Sequence, residues 1–199
     1  LDKNGNSEIV SVGCANLEKK TLLHKDSIFR IASISKIIVA IGVLKLYEDG
    51  LVDLDEDLSK YLGFTVRNPL YPNDLITLRM LLTQTSSIID DGIYENGVYK
   101  GYDGSNCTDE YIPLIELLTP ESKHFYKGYS EFKPGTTFIY SNLGCGILAC
   151  VCEKVTNKYF PEYIKEVLLN KLDIKSGFRL EDIAEIDNLV GHYLYENNQ

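Results

Sequence analysis

The chain has 199 residues, 44% of them hydrophobic and 25% charged, which suits one or two small globular domains and excludes collagen-like, low-complexity and disulfide-scaffold classes. Acidic side chains number 29 against 20 basic ones, a formal charge of −9, and no stretch gathers Lys and Arg into a stripe that would neutralise phosphates, so no nucleic-acid partner is expected. The longest apolar run, Ile37 to Leu44, falls far short of the ~20 residues a membrane span requires, so no transmembrane segment is expected.

Residues 1–32 read as β structure. Ile9, Val10, Val12 and Ala15 follow the turn pair Asn4-Gly5, and Thr21 to Leu23 forms a second short apolar stretch, a pattern that predicts a hairpin. From Ser33 the period becomes helical, and residues 33–199 read as a mainly helical region. Ile34 to Asp49 predicts a helix closed by Gly50, and its apolar residues on nearly every face predict a place in the core. Asp55 to Asp57 starts a short helix, Thr77 to Thr83 forms another, and Asp90 to Asp109 is a tyrosine- and glycine-rich loop expected to border a cleft. Pro134-Gly135 turns into a strand-like Thr136 to Ile139, followed by helices over Leu143 to Thr156 and Pro161 to Leu169. No linker divides these elements, so residues 1–199 are expected to form a single domain of the α/β class. Cys14, Cys107, Cys145, Cys150 and Cys152 are an odd number, three of them in one expected helix, and are read as buried free thiols.

Two segments carry chemistry. Ser33-Ile34-Ser35-Lys36 fits the S-x-x-K pattern of acyl-transfer serines, with the lysine one turn from the hydroxyl. A helix N-terminus favours a developing oxyanion, and partial burial of Lys36 disfavours its charged form, so the pair suits a nucleophile and its base. The same letters also fit a capping serine beside a solvated lysine. A second match, Ser130 to Lys133, runs into Pro134-Gly135, so its two ends cannot share a helix face. In Tyr140-Ser141-Asn142 a phenol can relay a proton and an amide can hold a carbonyl or orient a lysine, although a buried tyrosine beside a helix cap reads the same way.

Other patterns lack their context. Gly144-Cys145-Gly146-Ile147-Leu148-Ala149 spells a dinucleotide fingerprint but leads into another helix rather than a second strand, so Gly144 and Gly146 are read as close-packing positions. His24, His124 and His192 lack a nucleophile elbow to serve. Asp53, Asp55 and Asp57, and likewise Asp2, Asn4 and Asn6, lack the Gly and Glu of a calcium loop, and are read as a helix start and a turn. No metal and no cofactor are expected.

The pieces Phe29-Arg30-Ile31-Ala32-Ser33-Ile34-Ser35-Lys36, Leu81-Leu82-Thr83-Gln84-Thr85-Ser86, and Pro134-Gly135 with Phe138, Tyr140-Ser141-Asn142 and Gly144 follow one another in a fixed order. In that order the sequence resembles the serine β-lactamase and penicillin-binding-protein superfamily, on its class C β-lactamase-related branch of D-amino-peptidases and esterases. The resemblance implies a β-lactamase/transpeptidase-like fold, a partial antiparallel sheet plus a largely helical region, with Ser33 and Tyr140 facing one cleft. It further implies hydrolysis of β-lactams, D-amino-acid peptides or small esters through an acyl-enzyme. Ser33 would be the nucleophile, Lys36 and Tyr140 the proton-transfer groups and Asn142 the substrate-binding amide, in a bacterial protein outside the cytoplasm. Gln84 and Ser87 stand where the family more often has His and Gly. Lys175-Ser176-Gly177 matches the letters of the family's third motif but follows a helix as a turn would, so it is read as a coincidence, and the family's remaining strands are expected beyond Gln199. The alternative is a non-catalytic penicillin-binding sensor or an inactive fragment.

Overall fold

The computed structural model describes residues 8–90, 113–122, 125 and 128–193, and the backbone of 94–95 and 98–99. The chain divides into two compact units, Leu1–Ser35 with Asp173–Gln199, and Lys36–Leu172.

In the first unit, β1 (Cys14–Asn16) and β2 (Thr21–Leu22) form an antiparallel hairpin pairing Cys14 with Leu22 and Asn16 with Thr21. The turn is shaped by Asn16, whose Oδ1 accepts the Lys19 N–H at 2.7 Å, and by Lys20 in the left-handed region at φ 53°. The expected hairpin is therefore present but shorter. Ile9, Val10 and Val12 lie outside it and are exposed, Val12 to 81%, and among the described residues no third strand extends the ribbon. The Asn4-Gly5 turn lies outside the described residues. Ile28 makes a parallel bridge with Leu189, taking a hydrogen bond from Val190 N–H at 2.9 Å and donating to Asn188 O at 2.8 Å. Gly191 N–H donates to Ala15 O at 2.8 Å.

The second unit is helical. Helix α1 (Ser35–Glu48) buries Val39, Gly42, Val43 and Leu46, the i, i+3, i+4, i+7 stripe of one face. Ile37, 59% exposed, and Leu44 point outward, so the expectation of burial on every face holds for one stripe only. Gly42 is needed at a close approach. A Cβ there would stand 2.8 Å from Ile164 Cδ1, and the Tyr163 hydroxyl donates to Gly42 O at 2.9 Å. Helix α2 (Leu58–Leu62) is capped by Asp57, which accepts the Ser59 N–H at 3.0 Å, and ends on left-handed Gly63. Helix α3 (Leu78–Leu82) is capped by Thr77 and by Thr83. The acidic run belongs to these helix starts. Asp55 pairs with Arg79 at 2.6 Å and Asp57 with Arg67 at 2.5 Å.

Strands β3 (Tyr94–Glu95) and β4 (Val98–Tyr99) pair antiparallel within the expected 90–109 loop, most of which, with Cys107, lies outside the described residues. Helix α4 (Leu114–Leu118) was not foreseen; Pro113 at its N-cap was the local signal. Thr136 to Ile139 is a turn and extended chain rather than a strand. Helix α5 (Asn142–Thr156) is the longest among the described residues, and α6 (Phe160–Ile164) passes into a π turn at Lys165–Leu169, so the expected helix from Pro161 to Leu169 changes type midway. Leu46, Leu58, Ile76, Leu78, Leu81, Ile88, Leu118, Ile147 and Ile164 are fully buried. Cys152 is buried as expected, and burial pushes its thiol up to about 12, whereas Cys14 is exposed. Among the described residues no helix is long and apolar enough to cross a membrane.

Candidate active site

Ser33 lies in the first unit, in a 3-10 turn, Ala32–Ile34, that precedes α1. Ile34 N–H donates to Ile31 O at 3.0 Å, and the Ser35 N–H reaches the carbonyls of Ala32 and Ser33. Ser33 is exposed. Its neighbour Ala32 has φ 44°, a left-handed conformation that costs a non-glycine residue about 1–2 kcal/mol. Such strain survives where the surrounding turn over-determines it.

The second unit brings together the other three expected residues. Lys36 Nζ donates to Asn142 Oδ1 at 2.6 Å and stands 4.7 Å from the centroid of the Tyr140 ring. The lysine amine thus meets both a carbonyl acceptor and an aromatic face. Lys36 is partly buried, and Tyr140 is 47% exposed.

The segment from Gln84 to Asp90 holds Tyr140, Ser141 and Asn142 in place. Gln84 is left-handed at φ 59°; its carbonyl accepts from Ile139 N–H at 2.8 Å and its Oε1 from Ser141 N–H at 2.6 Å, so it brackets the tyrosine on both sides. Ser141 is the N-cap of α5, its Oγ accepting the Gly144 N–H at 2.9 Å. Asp90 accepts hydrogen bonds from Ser141 Oγ at 3.0 Å, Asn142 N–H at 2.7 Å, Asn142 Nδ2 at 2.9 Å and Leu143 N–H at 2.9 Å. The carboxylate therefore faces the positive end of a 15-residue helix. Sequence reading assigned no role to Gln84 or Asp90. The only signal was the position of Gln84 inside a recognisable segment, since an aspartate opening a loop is unremarkable by itself.

Neighbouring residues resolve the other candidates. Ser87 sits at φ 64°, where glycine is unstrained, and its Oγ accepts from buried Asn68 Nδ2 at 3.1 Å. A Cβ at Gly144 would stand 3.4 Å from Leu81 Cδ2 and from Ser141 Oγ, whereas one at Gly146 would meet nothing within 4 Å, so close packing bears only on the first. Ser130 Oγ accepts the Phe132 N–H at 3.3 Å, a turn rather than a helix face shared with Lys133. Burial pushes the Cys145 thiol up, and the charge of Lys36 opposes that rise without reversing it. Lys175 to Gly177 is irregular backbone. His24 Nδ1 accepts from Asp26 N–H at 3.3 Å, and His124 lies outside the described residues. Among the described residues no group of three His, Cys, Asp or Glu side chains could hold a metal ion.

Residues 3–196 match the protein family described as Beta-lactamase. Penicillin-binding protein 4* of Bacillus subtilis (strain 168) is 29% identical over 159 residues, 78% of this chain and 31% of its own length. Protein flp of Staphylococcus aureus (strain MW2) is 27% identical over 183 residues, 92% of this chain and 34% of its own. The octameric penicillin-binding protein homologue from Pyrococcus abyssi superposes with a TM-score of 0.72 at 26% identity, covering 93% of this chain and 40% of that one. The chain spans about a third of the length of the curated relatives it matches.

Proposed function

The chain belongs to the β-lactamase family and has its β-lactamase/transpeptidase-like fold, and on that premise we propose that it is a serine hydrolase working through an acyl-enzyme at Ser33. In this reading residues 1–32 supply strands, and 33–199 the helical region, of one catalytic domain. Ser33 Oγ attacks an amide or ester carbonyl carbon while its proton passes to Lys36 and Tyr140, and from them to the departing amine or alcohol. Water then attacks the acyl-serine, gives up its proton along the same groups, and releases the acid and free Ser33. Asn142 anchors Lys36 and offers its amide to the substrate, and the Ser33 N–H is one donor to the oxyanion. The substrates proposed are β-lactams, D-amino-acid peptides and small esters.

The observation that carries this reading is the 2.6 Å hydrogen bond from Lys36 to Asn142 across a separation of 106 residues, with Tyr140 against the same amine. A capping serine beside a solvated lysine gives no reason for the lysine to meet an amide and a phenol from a distant segment. Intact mass after incubation with a penicillin and with an activated ester tests the reading. Wild-type protein and Ser130→Ala are expected to gain the acyl mass, and Ser33→Ala to gain none; an adduct persisting in Ser33→Ala removes the nucleophile. The lifetime of the adduct separates a hydrolase, which sheds it, from a penicillin-binding sensor, which keeps it.

A further inference from the structure

We infer that Asp90 is a positioning residue, one that fixes which end of the Asn142 amide faces Lys36; the inference rests on the acyl-enzyme reading above. The asparagine carries an acceptor and a donor at nearly equivalent positions, and backbone alone does not choose between its two orientations. Asp90 does. A carboxylate only accepts, so its Oδ2, 2.9 Å from Asn142 Nδ2, claims the donor end and leaves Oδ1 to receive Lys36 Nζ at 2.6 Å. The reverse orientation would set Oδ1 against the carboxylate and Nδ2 against the amine.

The choice matters for a base. With Oδ1 before it, the lysine donates an N–H in that direction, and the lone pair of its neutral form points elsewhere, where it can take a proton. With Nδ2 before it, the amide would occupy that lone pair as a hydrogen-bond donor. Asp90 is itself fixed by contacts independent of the amide side chain. Its Oδ1 accepts from Ser141 Oγ and Leu143 N–H, and its Oδ2 from Asn142 N–H, so the carboxylate is held against the first residues of α5. Gln84 holds the preceding tyrosine by a separate pair of contacts.

A double-mutant cycle on the rate of acylation by a fluorescent penicillin or an activated ester tests the assignment. Asp90→Asn puts an NH₂ group against N–H donors whichever way it turns, and is expected to slow acylation on the order of 10-fold, within the range by which contacting residues couple. In an Asn142→Ala background the same change is expected to have little further effect. Full additivity of the two changes would overturn the proposal, because a role confined to holding the start of α5 does not depend on the amide. Asp90→Glu keeps the charge at the helix start while displacing the carboxylate; should Asp90→Asn not fold, Asp90→Glu takes its place in the cycle, read in the same way. A second readout needs no turnover: the Asn142 side-chain amide protons in a ¹H–¹⁵N spectrum are expected to exchange slowly in wild type and faster, at shifted positions, in either Asp90 variant. Unchanged amide signals would also overturn it. If the wild-type protein takes no acyl group, the hydrolase reading fails while the amide signals still decide on Asp90.

Discussion

Unit Leu1–Ser35 with Asp173–Gln199 and unit Lys36–Leu172 are held together by different forces. In the second, one cluster of apolar side chains runs from Val39 on α1 to Leu169 after α6, with most members almost fully excluded from water. In the first, Ala15 is the only buried apolar side chain among the described residues, and order comes from main-chain hydrogen bonds such as Leu23 to Gly13, Val190 to Ile28 and Gly191 to Ala15. Hydrogen-bonded turns and bridges with little apolar burial open locally at low free energy, whereas a packed core opens only near global unfolding. The proposed nucleophile thus belongs to the weakly packed unit, and its proposed partners Lys36, Tyr140 and Asn142 to the well-packed one. A serine held by a strained turn and an amine held by a packed helix are expected to tolerate change differently.

The largest effect that would break this contrast concerns the core. Leu46→Ala and Leu58→Ala are expected to cost about 2–5 kcal/mol of stability, measured by urea unfolding, while Val12→Ala stays within about 0.5 kcal/mol. Equal losses would mean that the first unit has apolar support not seen in the structure. Hydrogen exchange sharpens the contrast next. The Val190 and Gly191 amides are expected to exchange on the order of 100-fold faster than those of Ser130 and Gly135, which bond to Ser87 and Thr85 in the packed unit.

The ion pair between Asp57 and Arg67 comes third. Burial alone would push the Asp57 carboxyl up, but hydrogen bonds from Arg67 and Ser59 outweigh it and hold it below its ordinary value. A carboxyl lowered on folding stabilises the protein above its unfolded-state value, about 3.9, and that contribution disappears as pH falls through the folded value. Asp57→Asn is expected to cost about 1–3 kcal/mol at pH 7 and to flatten the acid limb of the stability profile. A variant whose acid limb matches wild type would show that the pair is not the titrating element. The smallest effect is at the cap of α5, where Ser141→Ala is expected to lower stability by about 0.5–2 kcal/mol, read as a drop in the thermal midpoint.

How much of this was legible in the sequence depended on the range of the interaction involved. Helices α1, α3 and α5 declared themselves by apolar period and, for α1, by the stop at Gly50, while the caps at Thr77 and Ser141 emerged from the structure, the sequence pointing to Asn142 as the cap of α5. The hairpin was legible as a pairing but not in its extent, because whether Ile9, Val10 and Val12 join a strand depends on what covers them. The switch from α6 to a π turn and the half-exposed state of α1 were not legible, since both follow from neighbours distant in the chain. Lys36, Tyr140 and Asn142 were singled out by motif order, yet their mutual contact spans more than a hundred residues, which no local pattern encodes.

By itself, the sequence determined the family, the fold class and the residue types brought to the candidate site, because motifs and apolar periods are local properties of a chain. Only the tertiary structure decided that Gln84 brackets Tyr140 and that the Asp90 carboxylate orients Asn142 toward Lys36. Hydrogen bonds between remote segments exist only once packing has set those segments side by side, and their direction is fixed by which donor meets which acceptor there.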